Sequence, residues 1–305
     1  MREQRSCDCA SPSNVVPHLL QPPTTTQSAT HMADRRFRVV DFASEDSPDI
    51  KNGHRITHRR LTEKIPLPNF TPRTWQSAVA HELIKGQDVV LKAGTGSGKT
   101  LSFQAVCLLK PRSCLLVISP LNALMEDQVK RARELGIRAC CVNAETLGAD
   151  DKLIDKIRDN HFQMVIVSAE FTAIDNEHWK RVVGRGSAES RFSKALIAIV
   201  VDEAHLVREW KEFRPHYRDL GKLRARWRRV PILACSGTLP VYVLHYVHES
   251  LGLRPETVLC ELDTDRANIT VITAPIPPGE VGNRKTLNFL VPEKLRNLRR
   301  LEAFN

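Results

Sequence analysis

Short, continuous apolar runs alternate with helical patterns over most of this 305-residue chain. The runs are typical of strands that are buried on both faces of a parallel sheet. They lie at 88–92, 114–118, 137–142, 164–167, 195–201 and 231–235. Helical patterns lie between or after them, at 101–109, 121–135 and 239–251. This alternation predicts one α/β domain over residues 61–262, with a doubly wound, mainly parallel sheet flanked by helices.

The two ends of the chain lack this alternation. Residues 1–60 are rich in Pro, Ser, Thr and charged residues and show no sustained periodicity, so we expect a disordered tail there. Residues 263–305 combine a Pro-rich stretch with a Lys/Arg-rich end. This segment is too short for a second α/β domain and is interpreted as a connector.

A glycine-rich loop joins the predicted strand at 88–92 to the predicted helix at 101–109. Its sequence is Ala93-Gly94-Thr95-Gly96-Ser97-Gly98-Lys99-Thr100. In this context the backbone N–H groups of the loop and the helix N-terminus can surround phosphates. Lys99 would reach the β- and γ-phosphates of a nucleotide, and the Thr100 hydroxyl would ligate Mg²⁺. A glycine-rich turn without a ligand is the alternative, which the flanking strand and helix disfavour.

An acidic pair follows the longest apolar run. Asp202 and Glu203 come directly after 195–201, at the end of a strand where α/β sheets bind ligands. Asp202 can hold the Mg²⁺ that Thr100 also contacts, and Glu203 can polarise an attacking water. A charged turn without chemistry is the alternative. The presence of the phosphate loop earlier in the chain favours an ATP-hydrolysing site.

Charge and cysteine content indicate what the protein binds and in which compartment it works. The net charge of +10 indicates an anionic partner beyond the nucleotide. Part of it is clustered in a basic segment that either contacts phosphates or forms a solvated helix face: Lys222, Arg224, Arg226, Arg228 and Arg229. The eight cysteines include no pair or cluster with zinc spacing, so we expect a reducing compartment and no zinc. No secretory leader or membrane-spanning run is recognisable, so we expect neither secretion nor a membrane partner.

Several segments resemble, in the same order, the motifs of RecQ-type ATP-dependent DNA helicases, which belong to helicase superfamily 2. The segments are 72–76 (motif 0), 118–129 (motif Ia), 168–170, 201–217, 236–238 (motif III) and 265–269. The resemblance covers residues 66–268, and the version of the phosphate loop is similar to that of divergent fungal members. It implies the RecA-like fold of P-loop nucleoside triphosphatases, with ATP and Mg²⁺ as cofactors. Only the first helicase lobe is represented.

The resemblance implies roles around the nucleotide. Arg73 would stack on adenine, and Gln76 would hydrogen-bond the edge of the base. His205 would link the nucleotide site to motif III through Ser236 and Thr238.

The resemblance also implies a surface for single-stranded or forked DNA. Motif Ia would contact the DNA backbone through Ser119, Pro120 and Leu121. In the aromatic-rich segment, bases would stack on Trp210 and Phe213 while Arg214 supplies charge. Core packing is the alternative for these aromatic residues, above all for Tyr217.

Two departures from the family pattern affect the expected activity. Trp210 and Phe213 are separated by two residues where the family has three, and a His between them is absent, which weakens the expectation of DNA-stimulated coupling. Motifs IV–VI, including the arginine finger, are absent, so we expect a truncated or degenerate core of a 3′–5′ helicase. Such a lobe would bind ATP and hydrolyse it slowly at most, and would need a second lobe or a full-length helicase to unwind DNA.

Three other functions stay open on the sequence. A DEAD/DEAH-type RNA helicase lobe would share the phosphate loop and Asp-Glu-Ala-His, but not the motif Ia block or the aromatic segment. A P-loop kinase or transporter ATPase would lack motif Ia. The third is a non-enzymatic relic that binds ATP or DNA, or serves as a partner of a full helicase.

A helicase of this family would be nuclear in a eukaryote and cytoplasmic otherwise.

Overall fold

The computed structural model describes residues 35–42, 46–184, 189–210, 212 and 214–263. All of them belong to the first of two compact units, Met1–Thr264, and the second is Asp265–Asn305. The strands are β1 (Phe37–Val40), β2 (Val89–Lys92), β3 (Cys114–Ile118), β4 (Ala139–Val142), β5 (Met164–Val167), β6 (Leu196–Asp202), β7 (Ile232–Ser236) and β8 (Thr257–Glu261). Short 3₁₀ turns lie at Glu170–Thr172 and Pro215–Leu220.

Helices connect most of these strands. They are α1 (Asn52–Lys64), α2 (Thr74–Ile84), α3 (Lys99–Leu109), α4 (Asn122–Glu134), α5 (Ala144–Ala149), α6 (Leu153–Arg158), α7 (Glu177–Val183), α8 (Arg191–Ala195), α9 (Leu206–Glu209), α10 (Gly221–Arg226) and α11 (Val241–Ser250). No helix in the described part of the chain is long and apolar enough to span a bilayer.

The strands form one parallel sheet in the order β1-β8-β2-β7-β6-β3-β5-β4. This order is not sequential, so the helical connections cover both faces, and the predicted doubly wound α/β fold is confirmed. β2, β7, β6 and β3 are neighbours at the centre. Their carboxyl ends therefore meet at one edge of the sheet, which we call the carboxyl edge.

Apolar residues of the strands are buried on both faces, as their continuous runs predict. One face packs against α1 to α4 through side chains that include Leu61, Val79, Phe103 and Val129. The other packs against α6, α7 and α11 through side chains that include Ile157, Val182, Leu244 and Val247. Leu115 and Leu116 on β3 face these two cores in turn, and neither is exposed. Each such burial contributes roughly 1.5–3 kcal/mol relative to an exposed leucine.

The expected tail of residues 1–60 is ordered in its last part, which corrects that prediction. β1 pairs with β8, with Phe37 opposite Thr257, and α1 continues across residue 60. Neither β1 nor β8 was predicted, because β1 lies in the segment that was expected to be a tail and the apolar run within β8 is only Val258, Leu259 and Cys260. α1 was missed because it is mostly polar, and its buried residues are only His54 and Leu61.

The opposite edge of the sheet, at the amino ends of β2 and β7, is held by Asp88. Its carboxylate accepts hydrogen bonds from Arg254 Nε and Nη2 (2.9 and 2.8 Å), Arg224 Nη2 (2.7 Å) and the N–H groups of Arg254 and Ile232 (2.9 and 2.8 Å). Arg226 donates to the carbonyl of Val183. Two arginines of the basic segment are therefore used within the fold, away from the carboxyl edge, which argues against the segment as a phosphate-binding surface.

Candidate nucleotide and DNA site

The glycine-rich loop lies at the carboxyl edge, between the end of β2 at Lys92 and the start of α3 at Lys99. Gly96 and Gly98 have φ angles of +79° and +90°, in the left-handed region that favours glycine. A Cβ on Gly98 would lie 2.7 Å from Gln76 Nε2. The loop therefore requires glycine at position 98 for its backbone angle and for its close contact with α2.

Lys99 points back into this loop. Its Nζ donates to the carbonyl oxygens of Ala93 at 3.0 Å and Gly94 at 3.3 Å. The Ser97 hydroxyl is buried and has no hydrogen-bond partner among the described residues. An ammonium group, a hydroxyl and a helix N-terminus thus converge on one turn, and this arrangement fits a bound phosphate chain.

Arg73, one of the two predicted adenine-binding residues, lines a cavity beside the loop. A space of about 490 Å³ is lined by residues that include Arg73, Trp75, Gly94 and Ser97. Arg73 is exposed, whereas Gln76 is buried and uses both ends of its amide. Gln76 Oε1 accepts from the Arg73 N–H at 2.7 Å, and Nε2 donates to the Gly98 carbonyl at 2.9 Å. Gln76 thus fixes the start of α2 against the phosphate loop, and its amide retains one donor hydrogen for a ligand.

Asp202 ends β6 at the same edge, and its carboxylate is oriented by three donors. Oδ1 accepts from the N–H of Glu203 at 3.0 Å and from Cys235 Sγ at 3.3 Å. Oδ2 accepts from Gln128 Nε2 at 2.8 Å. Burial, followed by the adjacent Asp202 carboxylate, raises the pKa of the Cys235 thiol well above its usual range, so the thiol stays protonated and donates.

The candidate magnesium ligands supply the right chemistry. The Thr100 hydroxyl and the Asp202 carboxylate are oxygen donors, which Mg²⁺ prefers, and one or two carboxylates with substrate phosphates suffice for such a site. No group of three or more His, Cys, Asp or Glu residues that could hold a metal occurs within the described residues. A magnesium ion shared with a nucleotide does not require such a group.

Glu203 and His205 follow Asp202 in a strained turn. Glu203 has φ +48°, which is uncommon for a residue with a side chain. His205 Nδ1 lies 2.7 Å from Ser236 Oγ and 3.4 Å from Glu203 Oε2. Ser236 Oγ also donates to the Thr238 carbonyl and accepts from the Thr238 N–H, both at 3.1 Å. The geometry therefore brings together the residues through which a link to motif III was expected.

The predicted DNA residues are divided between surface and core. Ser119 and Pro120 are buried, so neither side chain reaches the surface, whereas Leu121 is 50% exposed. Arg214 Nη1 donates to the Pro120 carbonyl at 3.0 Å, and its guanidinium carbon lies 4.6 Å from the centre of the Trp210 ring. Together Leu121, Arg214 and the half-buried Trp210 form what we call the strand surface.

Of the two remaining aromatic residues of this segment, Tyr217 is described by the structure and Phe213 is not. Tyr217 is 1% exposed and packs edge-on against Trp210, with ring centres 5.3 Å apart. Burial raises the pKa of its hydroxyl above the usual range. Tyr217 is therefore a core residue, which is one of the two alternatives for this position. Phe213 lies outside the described residues.

The residues of this candidate site lie within a region that matches a known protein family. The family model for the DEAD/DEAH box helicase matches residues 73–245, more than half of the chain. The chain belongs to the DEAD/DEAH box helicase family. The matched region begins at Arg73 and extends beyond β7, so it includes the phosphate loop, the acidic pair and motif III.

Curated relatives confirm the resemblance to RecQ-type helicases. The chain is 33% identical over 170 residues to the ATP-dependent DNA helicase RecQ of Haemophilus influenzae, covering 54% of this chain and 25% of the relative. It is 29% identical over 215 residues to the ATP-dependent helicase SGS1 of Saccharomyces cerevisiae, covering 69% and 14%. The RecQ-like DNA helicase BLM of Xenopus laevis is 29% identical over 236 residues, covering 76% and 16%.

Two solved structures are similar in fold. The DUF1998 helicase MrfA bound to DNA matches with a TM-score of 0.53 at 19% identity, covering 70% of this chain and 30% of that one. The same helicase bound to DNA and AMPPNP matches with a TM-score of 0.52 at 18% identity, covering 77% of this chain and 33% of that one.

The chain spans a quarter or less of the length of each curated helicase named above.

Two residues of this helicase-family site were not predicted as functional. Gln128 lies within the motif Ia segment, three residues after the buried Met125 and one before the buried Val129. That spacing places it on the inward face of α4, so a polar residue there could have been recognised as a buried contact. Cys235 gave no such signal, because it reads as one more apolar residue of β7. Its register opposite Asp202 emerges only from the sheet.

Proposed function

We propose that this chain is the ATP-binding lobe of a RecQ-type DNA helicase, which binds and hydrolyses ATP on single-stranded DNA. The observation that carries the proposal is a continuous set of contacts at the carboxyl edge. The Asp202 carboxylate bonds to Gln128 on α4, α4 begins after Pro120, and Pro120 bonds to Arg214 beside Trp210. A nucleotide site and a basic, aromatic surface are thus joined within one lobe.

Each residue around the nucleotide has a distinct role in this proposal. The loop residues from Thr95 to Thr100, with Lys99 among them, hold the phosphates, and Arg73 and Gln76 hold the base. Thr100 and Asp202 hold Mg²⁺, which when bound neutralises charge on the phosphates. Glu203 orients the attacking water and accepts its proton. His205 passes the state of this site to motif III through Ser236.

The strand surface binds DNA without reading its sequence. The Trp210 ring offers aromatic surface for stacking, and the Arg214 guanidinium, which lies over one face of that ring, offers positive charge. Leu121 supplies an exposed apolar contact at the start of α4. We include Ser119 and Pro120 only as residues that shape this surface, because both are buried. Phe213 is retained as a stacking candidate from the sequence.

Unwinding requires a second lobe in this proposal, supplied either by more of the same protein or by another chain. An arginine finger from that lobe would raise the hydrolysis rate by ~10³–10⁵. The substrates are then single-stranded or forked DNA, the direction is 3′ to 5′, and the location is nuclear if the source is eukaryotic. The relatives are named as DNA helicases, which favours DNA over RNA.

The proposal is tested by nucleotide and strand binding to three proteins: the unaltered chain, Lys99→Ala and Lys110→Ala. Lys110 is an exposed lysine at the other end of α3 and serves as the matched control. Losing one charge-assisted phosphate contact costs ~1.5–3 kcal/mol, so Lys99→Ala should weaken Mg·ATP binding by roughly tenfold to a hundredfold in calorimetry. Equal ATP affinity of all three would overturn the nucleotide site.

The nucleic-acid part is tested by fluorescence anisotropy with oligothymidylate and oligouridylate of equal length. We expect DNA binding that falls steeply with salt, by roughly 0.7 in log affinity per log salt for each phosphate neutralised. Preference for the RNA strand would support the RNA helicase alternative. ATP binding without any strand binding at low salt would support the nucleotide-binding relic.

A further inference from the structure

Gln128 is a buried polar side chain that the roles above do not use. It lies on α4 with 8% of its surface exposed, and its Nε2 donates to Asp202 Oδ2 at 2.8 Å. The two residues are 74 positions apart in the chain. A buried amide is costly unless it is hydrogen-bonded, and a bond to an ionised carboxylate is among the stronger ones. The contact therefore fixes one oxygen of the candidate magnesium ligand.

The donors to Asp202 come from three different elements. Oδ1 is held by the Glu203 N–H, just after β6, and by Cys235 on β7. Glu203 is the next residue in the chain and Cys235 is the partner of Asp202 in the sheet register, so both keep a fixed relation to Asp202. The third donor, Gln128, lies on a helix. Among the described residues it is the one that donates a hydrogen bond to Oδ2 of Asp202. A shift of α4 would therefore turn the carboxylate while its other oxygen stays in place.

The other end of the Gln128 amide is not committed. Its Oε1 is buried and accepts no hydrogen bond from the described residues. One bond alone holds the amide, so breaking that bond disrupts no second hydrogen bond of the Gln128 side chain. This distinguishes Gln128 from Gln76, whose amide is bonded at both ends.

α4 begins at the strand surface. Leu121 precedes its first residue and is exposed, and the neighbouring Pro120 carbonyl is bonded to Arg214. Gln128 follows Leu121 by two helical turns, or ~10 Å along the axis. A helix of this length moves as a rigid element. A DNA strand bound at Leu121 and Trp210 that shifts α4 therefore also shifts the Gln128 amide, which contacts Asp202.

We propose that Gln128 is a positioning residue that couples strand binding at Leu121, Arg214 and Trp210 to the orientation of the Asp202 carboxylate, and so to Mg²⁺-dependent nucleotide binding. This rests on the proposed function. Coupling between two ligands is reciprocal, so the strand strengthens Mg·nucleotide binding by the same factor as the nucleotide strengthens strand binding. Gln128 contacts neither ligand in this scheme and acts through Asp202.

The experiment measures this coupling in the chain and in Gln128→Met. Methionine matches glutamine in length but has no donor hydrogen. The affinity of a fluorescent ATP analogue is measured by anisotropy with and without saturating oligothymidylate, over a range of Mg²⁺ concentrations. Asp127→Asn is the control, because Asp127 is an exposed neighbour on α4 whose partner is Arg131.

In the unaltered chain and in Asp127→Asn, the strand should tighten nucleotide binding by at least ~5-fold, the lower end of typical coupling. In Gln128→Met the factor should fall to about one, and the Mg²⁺ concentration at half-binding should rise several-fold. Strand affinity without nucleotide should be unchanged. If this variant does not fold, Gln128→Asn serves instead, since its shorter side chain does not reach Asp202.

Full coupling in a folded variant that lacks the donor would overturn the proposal. So would an unaltered chain that binds both ligands without coupling, and in that case the proposed function would stand. If the unaltered chain binds no ATP or no strand, the proposed function fails, and the inference fails with it.

Discussion

The Asp88 network should be the largest single polar contribution to the stability of this fold. The Asp88 side chain is fully buried, and two guanidinium groups and two backbone N–H groups converge on it. Asp88→Asn keeps the size of the side chain but directs an NH₂ group at donors. It leaves the largely buried charge of Arg224 and the partly exposed charge of Arg254 without a counter-ion. Breaking a buried ion pair from one side costs ~3–5 kcal/mol.

This loss translates into a measurable change in melting temperature. For a domain of about 150–250 residues, each kcal/mol shifts the midpoint by ~2–4 °C, so Asp88→Asn should melt roughly 6–20 °C lower. Asp127→Asn is the control, because the Asp127–Arg131 pair has side chains 50% and 67% exposed and such pairs contribute ~0–1 kcal/mol. Circular dichroism melts and urea titrations of the three proteins make the comparison.

The pH dependence gives a second check. Burial alone would raise the pKa of the Asp88 carboxyl, but hydrogen bonds from Arg254 and Ile232, and the charge of Arg224, outweigh burial and lower it. A lowered pKa in the folded state means that the contribution is complete above the unfolded value of about 3.9 and is lost as the pH falls through the folded value. Asp88→Asn should therefore flatten the loss of stability below about pH 4. Equal melting of Asp88→Asn and Asp127→Asn would refute the assignment.

Other variants separate stability from function. Glu203→Gln should bind Mg·ATP normally but release no phosphate, because the amide cannot accept a proton; phosphate release at the rate of the unaltered chain would contradict this. Trp210→Ala should weaken oligothymidylate binding with an unchanged salt slope, since stacking is not ionic. Arg224→Ala should lower the melting temperature and leave that slope unchanged, because its guanidinium binds Asp88. Gly98→Ala should abolish ATP binding through its +90° φ and the contact with Gln76, whereas Gly94→Ala, with no atom within 4 Å of its added Cβ, should retain it.

Much of the central sheet could be predicted, because its strands are continuous apolar runs. The pattern identified the run that became β6, and the glycine-rich loop marked the end of β2. These signals are local: a parallel strand buried on both faces needs apolar residues at every position, and a phosphate loop needs glycine where φ is positive. β1 and β8, the first two strands in the sheet order, lack such a signal. Their pairing joins Phe37 to Thr257, which no window of neighbouring residues contains.

The basic segment shows why charge alone misleads. For Arg224, Arg226 and Arg228 the sequence left a phosphate-contacting cluster or a solvated helix face open, yet Arg224 bonds to Asp88 and Arg226 to a backbone carbonyl. A guanidinium can satisfy a buried carboxylate or carbonyl as well as it can a phosphate, and only the tertiary contact decides between them. The position of a residue within a motif misleads in the same way. Ser119 and Pro120 follow the end of a strand, but their side chains are buried.

The amino and carboxyl edges of the sheet differ in how completely their polar groups are hydrogen-bonded within the protein. At the amino end, every donor around Asp88 points at a carboxylate that is fully paired, which makes this end rigid. At the carboxyl edge, Glu203 holds a left-handed backbone angle, Lys99 bonds to carbonyls of its own loop, and Gln128 is bonded through one end of its amide. Strain and incompletely used polar groups persist only where the surrounding structure enforces them. The edge that would bind nucleotide and strand therefore keeps polar groups whose hydrogen-bonding capacity is incompletely used, whereas the donors around Asp88 are used within the fold.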